Sequence, residues 1–516
     1  MVRPKPNMWK GGQTCRPVPP QTSPAAPAER RGLEIMAYLE IIGIVLSSTY
    51  GEPYMRWPTH SISVRDFSAL AAGGGGAAVV RALGDVEYSR NVLLVAAVAD
   101  TARRAGHPGA ERIGRDLHRL LGLLERVPDA ARPVLGHPSV GVWALRTLRA
   151  LRDPGPAGAA APDDDPSQLG ALVAAVAVRA RIPGAYRVAV RDGAVTLPSV
   201  GRALLDDRAV RATVRVPDDE PGIAARVHTE RRRVDVPDPT GTTAPGWEGL
   251  RPLADDPFPV LLDDTDPYRF PPGIKLAPRL DAETLAELRD SYAAALRLLD
   301  RGHPAVAAEA GALISTVTPL VADAFGLASA TSREAFGCVA TSVTADPRQL
   351  AVTLVHEMQH AKLAALMDTV SLLPETSGPP RFYAPWRPDP RALPALLHGT
   401  YAFLGVTGFW YRQRHHERGR SAFEAQVEFA RWRAAVRVGL DQLLAEPALP
   451  PLGARFVRGM RDTLALWSRA RVPHAACQTA ARLLADHRSA WTLANGSLPR
   501  RVADAAGLVC EAESLR

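Results

Sequence analysis

Cysteine is scarce in this 516-residue chain: Cys15, Cys338, Cys477 and Cys510 are the only four, far apart and never in a C-x-x-C pair. That spacing excludes a zinc ribbon, a redox motif and a cluster site, and leaves buried or idle thiols of a reducing compartment. Long apolar runs are missing too. The stretch Ile41-Ile42-Gly43-Ile44-Val45-Leu46 is far shorter than a membrane span and follows Glu34 and Glu40. It lacks the basic-then-apolar order and the small-residue cleavage site of a secretory signal, so a cytoplasmic location without a membrane partner is expected. No P-loop, no G-x-G-x-x-G and no internal repeat occurs. Neither sign of charge forms a long run: 62 basic residues interleave with 54 acidic ones, so the net charge of +8 reads as solvated surface and no nucleic-acid partner is expected.

What is present is an ordinary globular composition, 46% hydrophobic and 22% charged, in a chain long enough for about two to four domains. The fold class expected is α+β, predominantly α-helical, with a β-rich middle segment and a helical metal-binding C-terminal region. Residues 1–59 begin with a proline-rich, polar stretch and read as a disordered or spurious N-terminal extension, with Met55 as a second candidate start. Residues 60–152 read as a helical domain, because Val92, Val95, Ala99 and Ala102 recur at helical spacing, interrupted by Gly73-Gly74-Gly75-Gly76. Residues 153–274 read as a linker and a β-rich segment. Short β-branched runs start after Leu172, notably Tyr186-Arg-Val-Ala-Val, Ala194-Val-Thr-Leu and Ala212-Thr-Val-Arg-Val, and a proline- and aspartate-rich stretch from Asp255 to Pro272 closes the segment. Residues 275–516 read as a helical catalytic domain.

The chemistry is concentrated in His356-Glu-Met-Gln-His360. Asp346 is a good N-cap, Pro347 suits the first helical position, and Pro374 marks an end, so one helix is predicted to carry the pentapeptide. Residues four apart lie one above the other on a helix, which lets both imidazoles converge on one ion with Glu357 beside it. A strand-like run, Gly337-Cys-Val-Ala-Thr-Ser-Val343, precedes the helix. Two satisfied core histidines are the bland alternative.

Two reaction classes compete. In a zinc metallopeptidase Glu357 is the general base toward metal-bound water. Its metzincin form is excluded because Leu363 and Leu366 occupy the glycine and third-histidine positions. Its gluzincin form needs a helical glutamate, for which Glu424 and Glu428 are available.

The other class comes from the segments Leu354-Val-His-Glu-Met-Gln-His-Ala-Lys-Leu363, Tyr383-Ala-Pro-Trp-Arg-Pro-Asp-Pro-Arg391 and Leu397-His-Gly-Thr-Tyr-Ala402. Together they closely resemble the HExxH-type iron and 2-oxoglutarate-dependent peptide β-hydroxylases, the HEXXH-motif domain family of peptide natural-product (RiPP) clusters. A weaker likeness extends to Phe67-Ser-Ala-Leu-Ala-Ala-Gly-Gly-Gly75.

The resemblance implies a cytoplasmic dioxygenase that uses Fe(II), 2-oxoglutarate and O2 to hydroxylate a β-carbon in a ribosomally synthesised precursor peptide, with a radical-SAM maturase as a possible cluster partner. An iron that activates oxygen needs about three protein ligands on one face. His356, His360 and His398 are the candidate set, with Gly399 and Gly405 permitting close approach of the second helix; Asp389 and Asp368 are fallback ligands. Arg387 or Arg391, in a loop stiffened by Pro385, Pro388 and Pro390, is expected to grip the far carboxylate of 2-oxoglutarate. Glu357 then orients ligand, water or substrate. Trp386, Tyr401 and Phe403 are candidates for a dry wall, His415-His416 reads as surface, and the strand around Val339 to Val343 is a candidate to pair with an extended peptide. An inactive peptide-binding protein is the remaining alternative.

Overall fold

The computed structural model describes residues 60–153, 165–205, 208–255, 258–322, 328–375 and 378–498. The extension expected over 1–59 and the linker residues 154–164 lie outside the described residues. The chain runs through α1 (Val64–Ala71), α2 (Gly76–Arg104), α3 (Ala110–Arg126), α4 (Pro128–Leu135), α5 (Pro138–Arg152) and α6 (Leu169–Arg179). Then come β1 (Gly184–Ala189), β2 (Ala194–Leu197), β3 (Gly201–Leu204), β4 (Arg211–Val216), β5 (Ile223–His228), β6 (Arg233–Pro237), β7 (Trp247–Gly249), β8 (Arg251–Ala254) and β9 (Val260–Leu262). Helices α7 (Ala282–Gly302) and α8 (Pro304–Leu313) lead to β10 (Thr316–Leu320), β11 (Ser329–Ala330) and β12 (Cys338–Ser342). The remainder is α9 (Pro347–Met367), α10 (Leu393–Gln413), α11 (Gly419–Leu444), α12 (Pro451–Ser468) and α13 (His474–Asn495). Helices account for 55% of the described residues, so the fold is mixed α+β and predominantly helical. No single helix among the described residues is long and apolar enough to cross a membrane.

The three middle runs form β1, β2 and β4, of which β4 shows the alternating burial of a strand with one covered face. They divide between a sheet ordered β1-β4-β5-β6 and a smaller one ordered β2-β3-β7. The expected β-rich segment nevertheless begins too early, at Leu172. Residues 169–178 form a helix buried on every side, so no polar face reveals the helical period and the valines read as strand.

A third sheet, ordered β11-β12-β10-β9-β8, supports the site. Its β9, β10 and β12 are parallel neighbours, joined by the α7–α8 crossover, while β11 runs antiparallel to β12 at the edge. Because β8 and β9 belong to this sheet, the segment before residue 275 is continuous with the region C-terminal to it. The packing at the other end also crosses the expected boundary. Phe67, Leu70, Val80 and Leu83 share one core with α7 to α13, whereas Val92 to Ala102 share a second core with α3 to α6 and the middle strands. Helix α2, 29 residues long, therefore runs through both.

Within the proline- and aspartate-rich stretch from Asp255 to Pro272 the central acidic residues are enclosed. Asp263, Asp264, Thr265 and Asp266 are each at most 3% exposed. Asp263 donates its backbone N–H to the Val317 carbonyl and so extends the sheet, which is why polar composition misleads here.

Where α7 meets α8, His303 is fully buried, stacked on Phe409 at 4.5 Å, with Nε2 3.0 Å from Gln413 Oε1. Burial holds its pKa below the usual imidazole value. The neutral ring thus contributes stability above pH about 6.5, and that contribution is lost as acid protonates the unfolded chain first. His303→Asn should destabilise by about 1–3 kcal/mol at pH 7.5, with the gap to wild type narrowing below pH about 6.5 in paired denaturant titrations. A gap that widens on acidification would contradict the assignment.

Candidate metal centre

Helix α9 begins as the sequence predicts. Asp346 accepts from the N–H groups of Arg348 (2.9 Å) and Gln349 (3.2 Å), and Pro347 stands at the first helical position. The i, i+4 spacing then stacks the two imidazoles, with ring centroids 4.8 Å apart and Nε2 atoms 3.1 Å apart. That separation suits two nitrogens sharing one ion at bonds of about 2.1 Å. His356 is 2% exposed and its ring meets Phe403 edge-on at 4.9 Å.

His398 comes from α10, on the adjoining side of His360. Their rings are nearly parallel, at 25°, with centroids 5.8 Å apart. The second helix can lie this close because Gly405 has no side chain: a Cβ there would stand 2.6 Å from Gln359 Cγ of α9. Gly399 makes room for something else, since a Cβ there would meet Trp386 Nε1 at 2.6 Å. The ring nitrogens of the three histidines do not all lie within 4.8 Å of one another, so His398 is the outlying member of the set.

Burial holds all three rings neutral, as metal ligation requires. It lowers His356 to about 4 and His398 to about 4, the latter helped by the Arg333 charge. Burial, then the neighbouring His356 and His398, places His360 well below the usual value.

Glu357 is 2% exposed and points to the edge of the third sheet. Its two oxygens accept from Ser329 Oγ at 2.8 Å and Thr331 Oγ1 at 2.9 Å, at and just after β11. Burial raises its pKa to about 7 against the opposing effect of those hydroxyls. Neither residue carried a signal in the sequence, because two hydroxyls near a two-residue strand have no motif.

An aromatic wall closes the other side. Trp386 stacks on Phe403 at 4.8 Å, and Trp432 of α11 lies 4.3 Å from the same ring. Tyr401, expected in that wall, instead donates its hydroxyl to the Leu70 carbonyl at 2.8 Å and packs on Phe456. It holds α1 and not the cavity. His415 and His416 are exposed, as expected.

The glycine-rich loop after α1 clasps α9 from behind. Lys362 Nζ, 1% exposed, donates to Glu309 Oε2 (2.7 Å) and to the carbonyls of Gly73 and Gly74 (both 3.1 Å). Glu309 Oε1 accepts from the Gly76 N–H at 2.8 Å, and Gln359 Nε2 donates to Gly73. The turn needs glycine because Gly73 and Gly75 sit at φ of 86° and 131°.

The expected anion grip fares differently. Arg387 and Arg391 both pair with Asp389, at 3.1 and 2.8 Å. Burial of Asp389 is outweighed by these guanidinium groups, which keep its carboxyl below the usual range. Asp368 is likewise engaged, by Arg333 and, at 3.6 Å, by Arg90. The arginine whose charge reaches His398 is Arg333, with a side chain 47% exposed. Glu424 pairs with Arg348 and Arg420, and Glu428 accepts from Trp432 Nε1 at 2.7 Å.

No protein-family model matches the chain, and no curated protein matches it. The likeness to the HExxH peptide hydroxylases therefore stands on the motifs themselves. The strand β12, expected to receive an extended peptide, is enclosed between β11 and β10 and wholly buried. The edge strands of that sheet among the described residues are β11 and β8, and β11 adjoins the residues holding Glu357.

Proposed function

We propose that this chain is an iron(II) and 2-oxoglutarate-dependent oxygenase that hydroxylates a β-carbon of a residue in a ribosomally synthesised peptide. The observation that carries the reading is three uncharged imidazoles, His356, His360 and His398, on two closely packed helices, with no carboxylate of the described residues among the charges that reach them. Such a set suits an ion that takes its remaining charge balance from a dianionic cosubstrate. When bound, iron with that cosubstrate supplies oxidation of a C–H bond coupled to decarboxylation of 2-oxoglutarate to succinate.

The chain's own residues do the rest. His356 and His360 are the paired ligands and His398 the third. Phe403, Trp386 and Trp432 keep water from the ligand side. Arg387 or Arg391, each paired with Asp389, receives the far carboxylate, with Arg333, which pairs with Asp368 and whose charge reaches His398, as a further candidate. Glu357, with a hydrogen bond on each oxygen, orients the neighbouring groups and does not act as a free base. An extended peptide is expected to add to the β11 edge, where backbone pairing gives affinity without sequence selectivity. A cluster partner such as a radical-SAM maturase would act on the same peptide.

A zinc peptidase is the second reading, favoured by one feature: Glu357, beside the histidine pair, has its pKa raised to about 7, in the range of a general base. Anaerobic loading with iron(II) and 2-oxoglutarate separates the two. The oxygenase should develop a weak visible charge-transfer band that His398→Ala abolishes. No band from the iron-loaded chain, together with zinc-dependent peptide cleavage lost in Glu357→Gln, would transfer the assignment to the hydrolase.

A further inference from the structure

A second cluster of ligating groups lies away from α9, where the start of α5 meets the end of β9. His137 stands at the N-cap of α5 with Nδ1 2.8 Å from Ser139 Oγ; in the tautomer that donates Nδ1–H to that oxygen, Nε2 carries the lone pair and the Ser139 hydroxyl is left to donate to Asp266. The ring is thereby fixed with Nε2 aimed at Asp263 Oδ2, 3.8 Å away. That gap is too long for a hydrogen bond, and neither atom has a hydrogen-bond partner among the described residues. His137 is 4% exposed, Asp263 1% and Asp266 3%. One donor atom from each of the three lies within 4.8 Å of the other two.

The other oxygens are held in place. Asp263 Oδ1 accepts from the N–H groups of Thr265 (3.1 Å) and Asp266 (3.0 Å) and from Thr265 Oγ1 at 3.4 Å. Asp266 accepts from the Tyr268 N–H at 2.7 Å and from the Ser139 hydroxyl. The intervening Asp264 shows how the protein neutralises a buried carboxylate when it uses side chains, since Arg251 and Arg279 both pair with it. Asp263 and Asp266 have no such cation within ion-pairing distance among the described residues. Arg269, the nearest guanidinium to Asp266, spends its Nη donors on the carbonyls of Asp266 and Ala277. Two adjacent buried carboxylates with no Arg or Lys ion pair among the described residues, offset only in part by the charge of Arg269 on Asp266, cost several kcal/mol in a dry interior. A divalent ion removes that cost at once.

We propose that His137, Asp263 and Asp266 hold a buried divalent cation of the zinc or manganese class, which ties the start of α5 to the end of β9. Two carboxylates and one imidazole favour a borderline first-row ion over calcium or magnesium. The site is enclosed, so its role is structural, and it is separate from the histidines of α9 and α10.

The test uses the full chain carrying His356→Ala and His360→Ala, so that the α9 site cannot contribute. After loading with zinc or manganese and gel filtration in weak chelator, this chain should retain about one ion, measured by plasma mass spectrometry. Adding Asp263→Asn and Asp266→Asn should reduce retention at least tenfold. Should those substitutions prevent folding, pulsed electron paramagnetic resonance on the manganese-loaded chain gives the same answer: imidazole nitrogen coupling, lost in His137→Gln. A folded chain that retains no ion, retention unchanged by the aspartate substitutions, or manganese with oxygen ligands alone would each overturn the proposal. The last results describe an ion-free hydrogen-bonded cluster or an adventitious surface ion, and none of them bears on the oxygenase reading.

Discussion

Lys362→Met should destabilise the chain by about 3–5 kcal/mol, a drop visible as a thermal midpoint lowered by several degrees. Methionine fills the same volume without the ammonium, and Glu309 is then a buried carboxylate with only the Gly76 N–H to compensate it. The Gly74 carbonyl loses its Lys362 donor at the same time, while that of Gly73 retains Gln359 Nε2. Removing both charges, in Lys362→Met with Glu309→Gln, should recover a good part of the loss, because the penalty comes chiefly from the unpaired charge and less from the pair's own attraction. Equal losses in the single and double variants would mean that the pair matters only as packing. The effect reaches the site, since Lys362 is two residues beyond His360 on the same helix and the loop it holds also binds Gln359.

His360→Ala should leave the fold nearly intact and remove the chemistry. His360 is the member that touches both other histidines, ring to ring, so its loss breaks the set into two separate imidazoles. Iron affinity should fall well beyond the roughly 10- to 100-fold cost of losing an outer-shell partner, and turnover of a peptide substrate should fall by at least about 100-fold. Iron content by plasma mass spectrometry and succinate formation are the two readouts. A variant that binds iron and turns over like the wild type would remove His360 from the ligand set.

Legibility in the sequence followed locality. Helix α9 was readable to its first residue because Asp346 and Pro347 act on the backbone beside them, and the i, i+4 histidines need only helical geometry. His398 was reachable through a motif, and its helix through apolar length. The Ser329 and Thr331 hydroxyls, the Arg333 charge and the Lys362–Glu309 pair were not, because each depends on a meeting of segments far apart in the chain. Asp263 and Asp266 carried no signal in the sequence for a different reason. Aspartates near prolines look like loop chemistry, and only the fold reveals that a sheet and a helix cap enclose them. The pairing of Arg387 and Arg391 with Asp389 was nearer to hand. Two cations flanking an anion within five residues are placed to pair with it, and a net positive charge remains there.

Helix α2 has a bearing on how the molecule can be divided. Its first turns are packed with the histidine-bearing helices and its last turns with the middle strands, along one unbroken rod. A fragment beginning at residue 275 would leave the hydrophobic seats of Phe67, Leu70, Val80 and Leu83 open to water, and would strip the third sheet of β8 and β9. The half that carries the candidate histidines is therefore not a detachable module. It inherits its rigidity from residues nearly 300 positions upstream (362 − 73 = 289), and the two halves are expected to melt together.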